Sequence, residues 1–301
     1  MIQRERVADN VYFFQSDSYA QVTAGAVIGS NWAVVIDTLA LPEETLAIRD
    51  FIEQDLSVPV RYVINTHYHA DHAWGNYFFP GATIISHTLC RKWMQEKGIP
   101  SLEEVRRVNL AFRNVKIVLP QMVFDEGILS LRVGKKNLSL FPLPGHSSDN
   151  IAVLVDEDRV LFGGDTCMPL PYLVDGDFED MVNSLKKVGK MGLENIIQGH
   201  GDIVLRGEID NFLRDNLNYL SNIRKAVRRA GRRKYPLDLL EEVTVESCGK
   251  SRVLIGGLAE ELHRRNLKAL YRQIYGVLPL ASDDDEDYDW EDEEEEYEEE
   301  E

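Results

Sequence analysis

Cysteine is scarce in this chain of 301 residues: only Cys90, Cys167 and Cys248 occur, and no two of them form a CxxC pair. An odd number of widely spaced cysteines provides no disulfide framework and favours a reducing compartment. No run of about 18 apolar residues occurs, so we expect no membrane span. The first residues lack the apolar segment of a secretory signal peptide. The cytoplasm is therefore the expected location.

Positive charge is also in short supply, with a formal net charge of −18. Sixteen of the acidic residues lie between Asp283 and Glu301, a stretch without Lys or Arg, so the rest of the chain carries a charge close to −2. Residues 282–301 have almost nothing to bury and are predicted to be a disordered acidic tail. The whole chain is 44% hydrophobic and 9% aromatic, which is typical of an enzyme with a full core.

Short apolar, β-branched runs dominate the first 200 residues and predict two groups of strands. The predicted strands are Val11–Gln15, Val22–Gly29, Trp32–Asp37, Val60–Asn65, Ala82–Ser86, Ile128–Val133, Asn137–Leu143, Ile151–Val155, Arg159–Phe162 and Glu194–Gln198. Helices are predicted over residues 42–56, 89–97, 102–112 and 178–191. Strands that come early and again late, each half closing with helices, predict an α/β fold, a four-layer αββα sandwich.

The character of the sequence changes near residue 207, where helical periodicity replaces strands. Ile209–Ala230 and Gly257–Tyr275 are predicted helices. We therefore expect three parts: a sandwich domain over residues 1–206, a helical C-terminal extension over 207–281 and the acidic tail over 282–301. The extension could pack on the sandwich or mediate contacts between copies, so a homo-oligomer stays open.

The densest cluster of chemically active side chains is Thr66-His67-Tyr68-His69-Ala70-Asp71-His72, in a chain with seven histidines. If the backbone stays extended after the strand Val60–Asn65, His67 and His69 point to the same side. Asp71 suits the first turn of a helix over Ala73–Phe79, because a carboxylate favours the positive end of the helix dipole. This spacing predicts a metal site at the rim of a sheet.

Three later segments repeat the same context, a ligand type that comes after a strand and is flanked by small residues. His146 lies in Pro144–Asn150, Asp165 lies in Gly163–Thr166, and His200 lies between two glycines. Glycine is expected where the backbone must approach a crowded site closely.

The ordered set His67-x-His69-x-Asp71-His72, His146, Asp165 and His200 resembles the signature of the metallo-β-lactamase-fold hydrolase superfamily, with a ligand set like those of glyoxalase II and lactonases. The resemblance covers about residues 5–205. It implies an αββα sandwich with a dinuclear site, usually zinc, at one edge. Carried over by position, the first metal would be bound by His67, His69 and His146, the second by Asp71, His72 and His200, and both by a bridging Asp165.

The residue types suit this chemistry, because imidazole and carboxylate bind Zn²⁺ and also Mn²⁺ or Fe²⁺. Two divalent ions lower the pKa of a bridging water, and the resulting hydroxide can attack an ester, thioester or lactone in a small-molecule substrate. Asp71 is the candidate catalytic residue that orients this water and carries its proton. Thr66, Ser147 and Asp149 are predicted to support the ligands from behind.

Three alternative functions are open within the same fold. A β-lactam hydrolase is disfavoured because the β-lactamases of this fold replace part of the set that His72 and Asp165 complete here. A mononuclear-iron sulfur dioxygenase is disfavoured by the complete second set of ligands. A nuclease or nucleic-acid-binding protein is suggested by seven basic residues in Arg224–Lys234, although a solvated helix end explains this run better.

The two remaining histidines and one cysteine are expected to have structural roles. His87 comes after a predicted strand and is interpreted as a capping or supporting residue. His263 lies among charged residues of a predicted helix and is expected to be exposed. Cys167, two residues after Asp165, is expected to be a small buried side chain.

Overall fold

Two mixed sheets packed face to face, with helices on both outer sides, form the body of the computed structural model, which describes residues 2–281. The predicted αββα sandwich is thereby confirmed, and the predicted acidic tail lies outside the described residues. No helix in this range has both the length and the apolar character needed to cross a bilayer.

The first sheet has seven strands in sequence order. They are β1 (Ile2–Ala8), β2 (Val11–Ser16), β3 (Thr23–Ile28), β4 (Ala33–Ile36), β5 (Val60–Ile64), β6 (Thr83–His87) and β7 (Met122–Phe124). The first four strands pair antiparallel, and β4 to β7 pair parallel. Parallel pairing puts the carboxyl ends of β4 and β5 at the same edge.

The second sheet has six strands in the order β13-β12-β11-β10-β9-β8. They are β8 (Leu129–Val133), β9 (Lys136–Pro142), β10 (Ile151–Val155), β11 (Val160–Phe162), β12 (Asn195–Ile197) and β13 (Val204–Leu205). Only β11 and β12 pair parallel here. The same argument therefore puts their carboxyl ends side by side.

Eight α-helices surround the sheets within residues 2–281. They are α1 (Pro42–Asp50), α2 (Ala70–Ala73), α3 (Thr88–Trp93), α4 (Ile99–Val108), α5 (Phe178–Val188), α6 (Ile209–Ala230), α7 (Pro236–Glu241) and α8 (Ala259–Tyr275). The helix predicted over Ala73–Phe79 begins earlier, at Ala70, and continues as a 3₁₀ turn, Trp74–Phe78. Asp71 lies in the first turn of α2, as predicted. The helix predicted over 102–112 belongs to a longer helical segment that ends at Val108, because Asn109 is extended.

Side-chain alternation along the strands divides the core into layers. Val11 and Phe13 of β2 face the cluster between the two sheets, whereas Phe14 faces the cluster under α1. In β10, Val153 also faces the space between the sheets, whereas Leu154 faces the opposite side. This alternation determines which face of each sheet packs against the other sheet.

The helical extension has no core of its own. One hydrophobic cluster includes Leu154 of the second sheet, Phe178 of α5, Tyr219 of α6 and Leu270 of α8. The division of the chain at residue 206 stays a prediction.

Two of the three side chains with expected structural roles match the prediction, and one does not. Cys167 is buried, as predicted, and His87 accepts a hydrogen bond from Leu89 N as the cap of α3, which confirms its capping role. The expectation of an exposed His263 is wrong. Its ring is fully buried, with Nδ1 3.0 Å from the Tyr219 hydroxyl and Nε2 3.0 Å from the Val243 carbonyl.

Candidate metal centre

All seven predicted ligands lie at one edge of the sandwich: five come after the ends of strands, and Asp71 and His72 lie in the short helix α2. His67 and His69 come after β5, and His146 comes after β9. Asp165 and His200 come after the parallel pair β11 and β12. Backbone hydrogen bonds join the two sheets at this edge, including Thr23 N to the Gly199 carbonyl (2.9 Å) and Ile151 N to the Thr66 carbonyl (2.8 Å).

The first group of side chains consists of three histidines and one carboxylate whose ligand atoms all lie within 4.8 Å of one another: His67, His69, His146 and Asp165. His69 Nδ1 lies 3.0 Å from His67 Nε2 and 2.9 Å from His146 Nε2. Asp165 Oδ2 lies 3.4 Å from His146 Nε2. A tetrahedral zinc ion with bonds of about 2.0–2.1 Å needs ligand atoms about 3.3 Å apart, so this spacing suits one metal ion.

The second group consists of Asp71, His72 and His200, again within 4.8 Å. Asp71 Oδ2 lies 3.4 Å from His200 Nε2 and 3.9 Å from His72 Nε2. Asp165 reaches this group as well, because Oδ1 lies 3.2 Å from His72 Nε2 and Oδ2 lies 3.4 Å from His200 Nε2. One carboxylate therefore lies between two groups of ligand atoms.

Two atoms at the heart of this cluster lack hydrogen-bond partners. Among the described residues, the buried Nε2 of His72 and the buried Oδ1 of Asp165 make no hydrogen bond of acceptable geometry, although the two atoms lie 3.2 Å apart. An unpartnered buried polar atom costs about 1–3 kcal/mol, and more if it is charged. Both atoms point into the cluster, which is the arrangement expected of metal ligands, so the residues present fit a divalent metal pair.

Each histidine is also held from behind through its other ring nitrogen. The contacts are His67 Nδ1 to Thr66 Oγ1 (3.1 Å), His69 Nε2 to Asp175 Oδ2 (3.3 Å), His72 Nδ1 to Asp37 Oδ2 (2.9 Å), His146 Nδ1 to the Tyr172 carbonyl (2.8 Å) and His200 Nδ1 to the Ala20 carbonyl (2.8 Å). Such contacts fix the tautomer and the ring orientation of a metal-binding histidine. His69 therefore presents Nδ1 to the cluster, and the other four present Nε2.

Electrostatics favours the protonation states that metal ligands require at His67, His146 and Asp165, whereas at His72 it favours the charged imidazolium. Burial lowers the pKa of His67 well below its usual value and that of His146 to about 4. Burial alone would raise the pKa of Asp165, but the surrounding histidines outweigh it and hold that pKa well below its usual value. Burial would also lower the pKa of His72, yet the neighbouring carboxylates, Asp165 first, raise it well above normal. The cluster is thus short of positive charge, which divalent cations would supply.

The three predicted supporting residues occupy different surroundings. Thr66 contacts His67 and donates its hydroxyl proton to Asp37 Oδ2 (2.7 Å). Ser147 Oγ donates to Asp149 Oδ1 (2.6 Å), and both side chains are buried. Support of the ligands by Ser147 and Asp149 stays a prediction.

Sequence reasoning missed two carboxylates that contact ligand rings, Asp37 and Asp175. Asp37 lies directly after β4, the parallel neighbour of β5, and this position could have revealed it. Asp175 lies in an irregular loop, also accepts hydrogen bonds from the Tyr68 hydroxyl and from Lys97 Nζ (2.9 Å), and offers no comparable signal.

Glycine permits the close approach predicted around the ligands. A Cβ atom at Gly199 would lie 1.8 Å from Asp165 Oδ1, so no other residue fits there without displacing that carboxylate.

A cleft of about 310 Å³ leads from solvent to the cluster and includes His69, Asp71, His146, Asp165 and His200 in its wall. Tyr19, Met168 and Tyr172 line it from the sandwich side, and Ile255, Leu258 and Leu262 line it from the helical extension. The extension thus forms one wall of the candidate site.

A cluster of five histidines and two aspartates at the edge of an αββα sandwich defines a metal-binding protein of this two-sheet fold. Residues 19–229 match the family model of the metallo-beta-lactamase superfamily. The chain belongs to that superfamily.

Curated relatives are similar over part of their length. A Caenorhabditis elegans protein named beta-lactamase-like protein 2 homolog is 26% identical over 48% of this chain and 43% of its own length. An acyl-coenzyme A thioesterase of Bos taurus is 27% identical over 62% of this chain and 75% of its own. A hydroxyacylglutathione hydrolase of Pelagibacter ubique is 27% identical over 52% and 56%, respectively. The chain thus spans less than half of the first of these relatives.

Solved structures agree with the fold. A metallo-beta-lactamase from Pontibacter korlensis has a TM-score of 0.60 at 18% identity, over 74% of this chain and all of that one. The sec-alkylsulfatase Pisa1 from Pseudomonas sp. has a TM-score of 0.70 at 15% identity, over 92% of this chain and 50% of that one. At these identities the likeness concerns the fold alone.

Proposed function

We propose that this protein is a metal-dependent hydrolase that cleaves an ester, thioester or lactone at a dinuclear site. His67, His69 and His146 would hold the first divalent cation, Asp71, His72 and His200 the second, and Asp165 both. Zinc is the proposed metal, since imidazole and carboxylate ligands at this spacing suit it.

The single observation that carries this proposal is the position of Asp165. Its two oxygens lie 3.2–3.4 Å from ligand nitrogens of both groups, and Oδ1 has no hydrogen-bond partner among residues 2–281. A buried carboxylate with a purely structural role would be expected to accept hydrogen bonds at both oxygens.

Bound divalent cations would supply the Lewis acidity that lowers the pKa of a water and polarises a carbonyl. The residues of this chain would do the rest. Asp71 faces the cleft, with a side chain 14% exposed, and would accept the proton of the attacking water at its carboxylate. The water oxygen would bond to the acyl carbon as the carbon–sulfur or carbon–oxygen bond breaks. The proton would then pass from Asp71 to the departing thiolate or alkoxide.

The cleft supports an acyl substrate with an apolar group. Met168, Ile255, Leu258 and Leu262 provide apolar surface next to the ligands, and Arg265 lies at the outer rim with Glu261. Relatives named as a coenzyme A thioesterase and a hydroxyacylglutathione hydrolase favour a thioester among the three bond types.

The alternatives find less support. None of the described side chains of Arg224–Lys234 lines the cleft, which argues against a nuclease that uses this run. A nucleic-acid partner, a homo-oligomer and a cytoplasmic location stay predictions from the sequence.

The test combines metal analysis with a substrate panel. We expect about two zinc ions per purified chain, about one in His200→Ala, and faster cleavage of acyl-coenzyme A thioesters than of lactones, cephalosporins or phosphodiesters. The unchanged chain, stripped with a chelator and reloaded with Zn²⁺, is the matched control.

Other outcomes would overturn the proposal. A single iron per chain together with oxygen consumption would indicate the dioxygenase. Full activity of the chelator-treated protein would exclude any role of metal.

A further inference from the structure

One irregular loop, residues 167–177, holds two of the three histidines of the first group. The Tyr172 carbonyl accepts a hydrogen bond from His146 Nδ1, and the Asp175 carboxylate contacts His69 Nε2. The loop also approaches the His146 segment closely, because a Cβ at Gly176 would lie 2.0 Å from the Gly145 carbonyl oxygen. The position of this loop therefore decides how two ligand rings face the cluster.

Irregular backbone needs partners for its polar groups, and much of this loop finds them in the helical extension. Asn266 of α8 is fully buried. Its Oδ1 accepts from Leu173 N (2.7 Å), and its Nδ2 donates to the Pro171 carbonyl (2.7 Å) and the Tyr219 hydroxyl (3.0 Å). One amide thus holds the backbone on both sides of Tyr172, which only a side chain with both a donor and an acceptor can do.

Further contacts fasten both ends of the loop. Near its start, Lys250 Nζ donates to the Pro169 carbonyl (2.6 Å) and to Asn216 Oδ1 (2.5 Å), and Asn216 Nδ2 donates to the Met168 carbonyl (3.0 Å). Near its end, Gln273 Nε2 donates to the Gly176 carbonyl (2.9 Å), and its Oε1 accepts from Phe178 N (3.1 Å). Lys250, Asn216 and Gln273 all belong to the part of the chain after residue 206.

We propose that Asn266 is a positioning residue of the metal centre: through the 167–177 loop it aims His146 and His69, so that the helical extension sets the metal affinity of the first group. The inference rests on the proposed dinuclear site. It assigns the extension a role at the metals as well as at the cleft wall. Partners that orient metal-binding histidines typically contribute about 10–100-fold in metal affinity.

The experiment compares metal-free Asn266→Leu and Asn266→Asp with the matched control Tyr219→Phe. The control removes a buried hydroxyl from the same network and leaves both contacts of Asn266 with the loop. Zn²⁺ affinity is measured by competition with a chromophoric chelator, and thermal unfolding is recorded without metal. We expect the ion of the first group, identified with His67→Ala, to bind about 10–100-fold more weakly in the Asn266 variants. The affinity of the second ion, and both affinities of the Tyr219→Phe protein, should change less than about threefold.

Gln273→Ala is the second variant, because Gln273 is exposed and its loss leaves the core intact. It should weaken the first ion less than Asn266→Leu does, without changing the second. Wild-type affinity of both ions in Gln273→Ala and in any folded Asn266 variant would overturn the inference while leaving the dinuclear site intact. Absence of zinc binding by the unmodified chain would instead overturn the proposed function.

Discussion

The two groups of ligands are supported by different parts of the molecule. Behind the second group, His72 contacts Asp37 at the end of β4, and His200 contacts the Ala20 carbonyl just before β3. Behind the first group, His69 and His146 contact the 167–177 loop, which the helical extension holds. One half of the centre is therefore fixed by the sheets themselves, and the other half depends on side chains far along the chain. The orientation of the first group of ligands therefore depends on the helical extension, whereas that of the second group does not.

The largest effect should come from the residue common to both groups. Asp165→Ala removes the carboxylate between them and leaves four histidines without their shared partner. We expect loss of both metal ions and a drop in hydrolysis of more than about 10³-fold. Metal analysis and steady-state kinetics check this. Near-normal activity in a folded Asp165→Ala protein would contradict the shared role.

The two supporting carboxylates should have separable effects. Asp37→Asn weakens the support of His72 and should lower the affinity of the second ion by about 10–100-fold, whereas Asp175→Asn should do so for the first ion. Asn is the chosen replacement at Asp37 because that residue has a φ of 56°, which Asn tolerates. Lys97→Met, which loses the contact with Asp175 without touching His69, is the control. If either variant lowered the affinities of both ions equally, the proposed difference between the two groups would be wrong.

The smallest effect concerns pH and the helical extension. Burial lowers the pKa of Lys250 from 10.5 to about 8 in the folded protein. Between these values the unfolded chain binds the proton and the folded chain does not, so this lysine makes stability rise with pH. The rise should total about 3 kcal/mol across the interval between the two pKa values.

Chemical denaturation at several pH values, compared with Lys250→Met, tests this. The variant should lack that part of the rise, while its content of the second metal stays unchanged. A parallel pH dependence of the two proteins would contradict the assignment to Lys250.

The candidate ligands were predictable from the sequence because they lie at strand ends. Each comes shortly after an apolar run, and this context marked them as candidate ligands. That the segments meet, and which ligands share a metal, was implied by the resemblance to the metallo-β-lactamase-fold superfamily. Asp37 has the same context and was missed because it stands alone, without a second ligand type near it in sequence. The roles of Asp175 and Asn266 could not be predicted from the sequence, because their contacts join segments that are irregular or distant along the chain.

The wrong expectation of an exposed His263 has a different origin. Its charged neighbours in sequence concealed the helical face that it shares with Leu267 and Leu270, and all three side chains are buried in α8. Residues four and seven positions apart lie on one side of a helix, so this face could have been read from the spacing.

The four side chains that hydrogen-bond the 167–177 loop lie late in the sequence, and this has a consequence for how the protein is synthesised. Every candidate ligand lies between residues 67 and 200, yet Asn216, Lys250, Asn266 and Gln273 all come later in the chain. A growing polypeptide therefore carries all its ligand side chains well before it has the groups that aim His69 and His146. The first group of ligands would reach its final form only once helix α8 has been synthesised and has packed, so the packing of α8 would complete the centre.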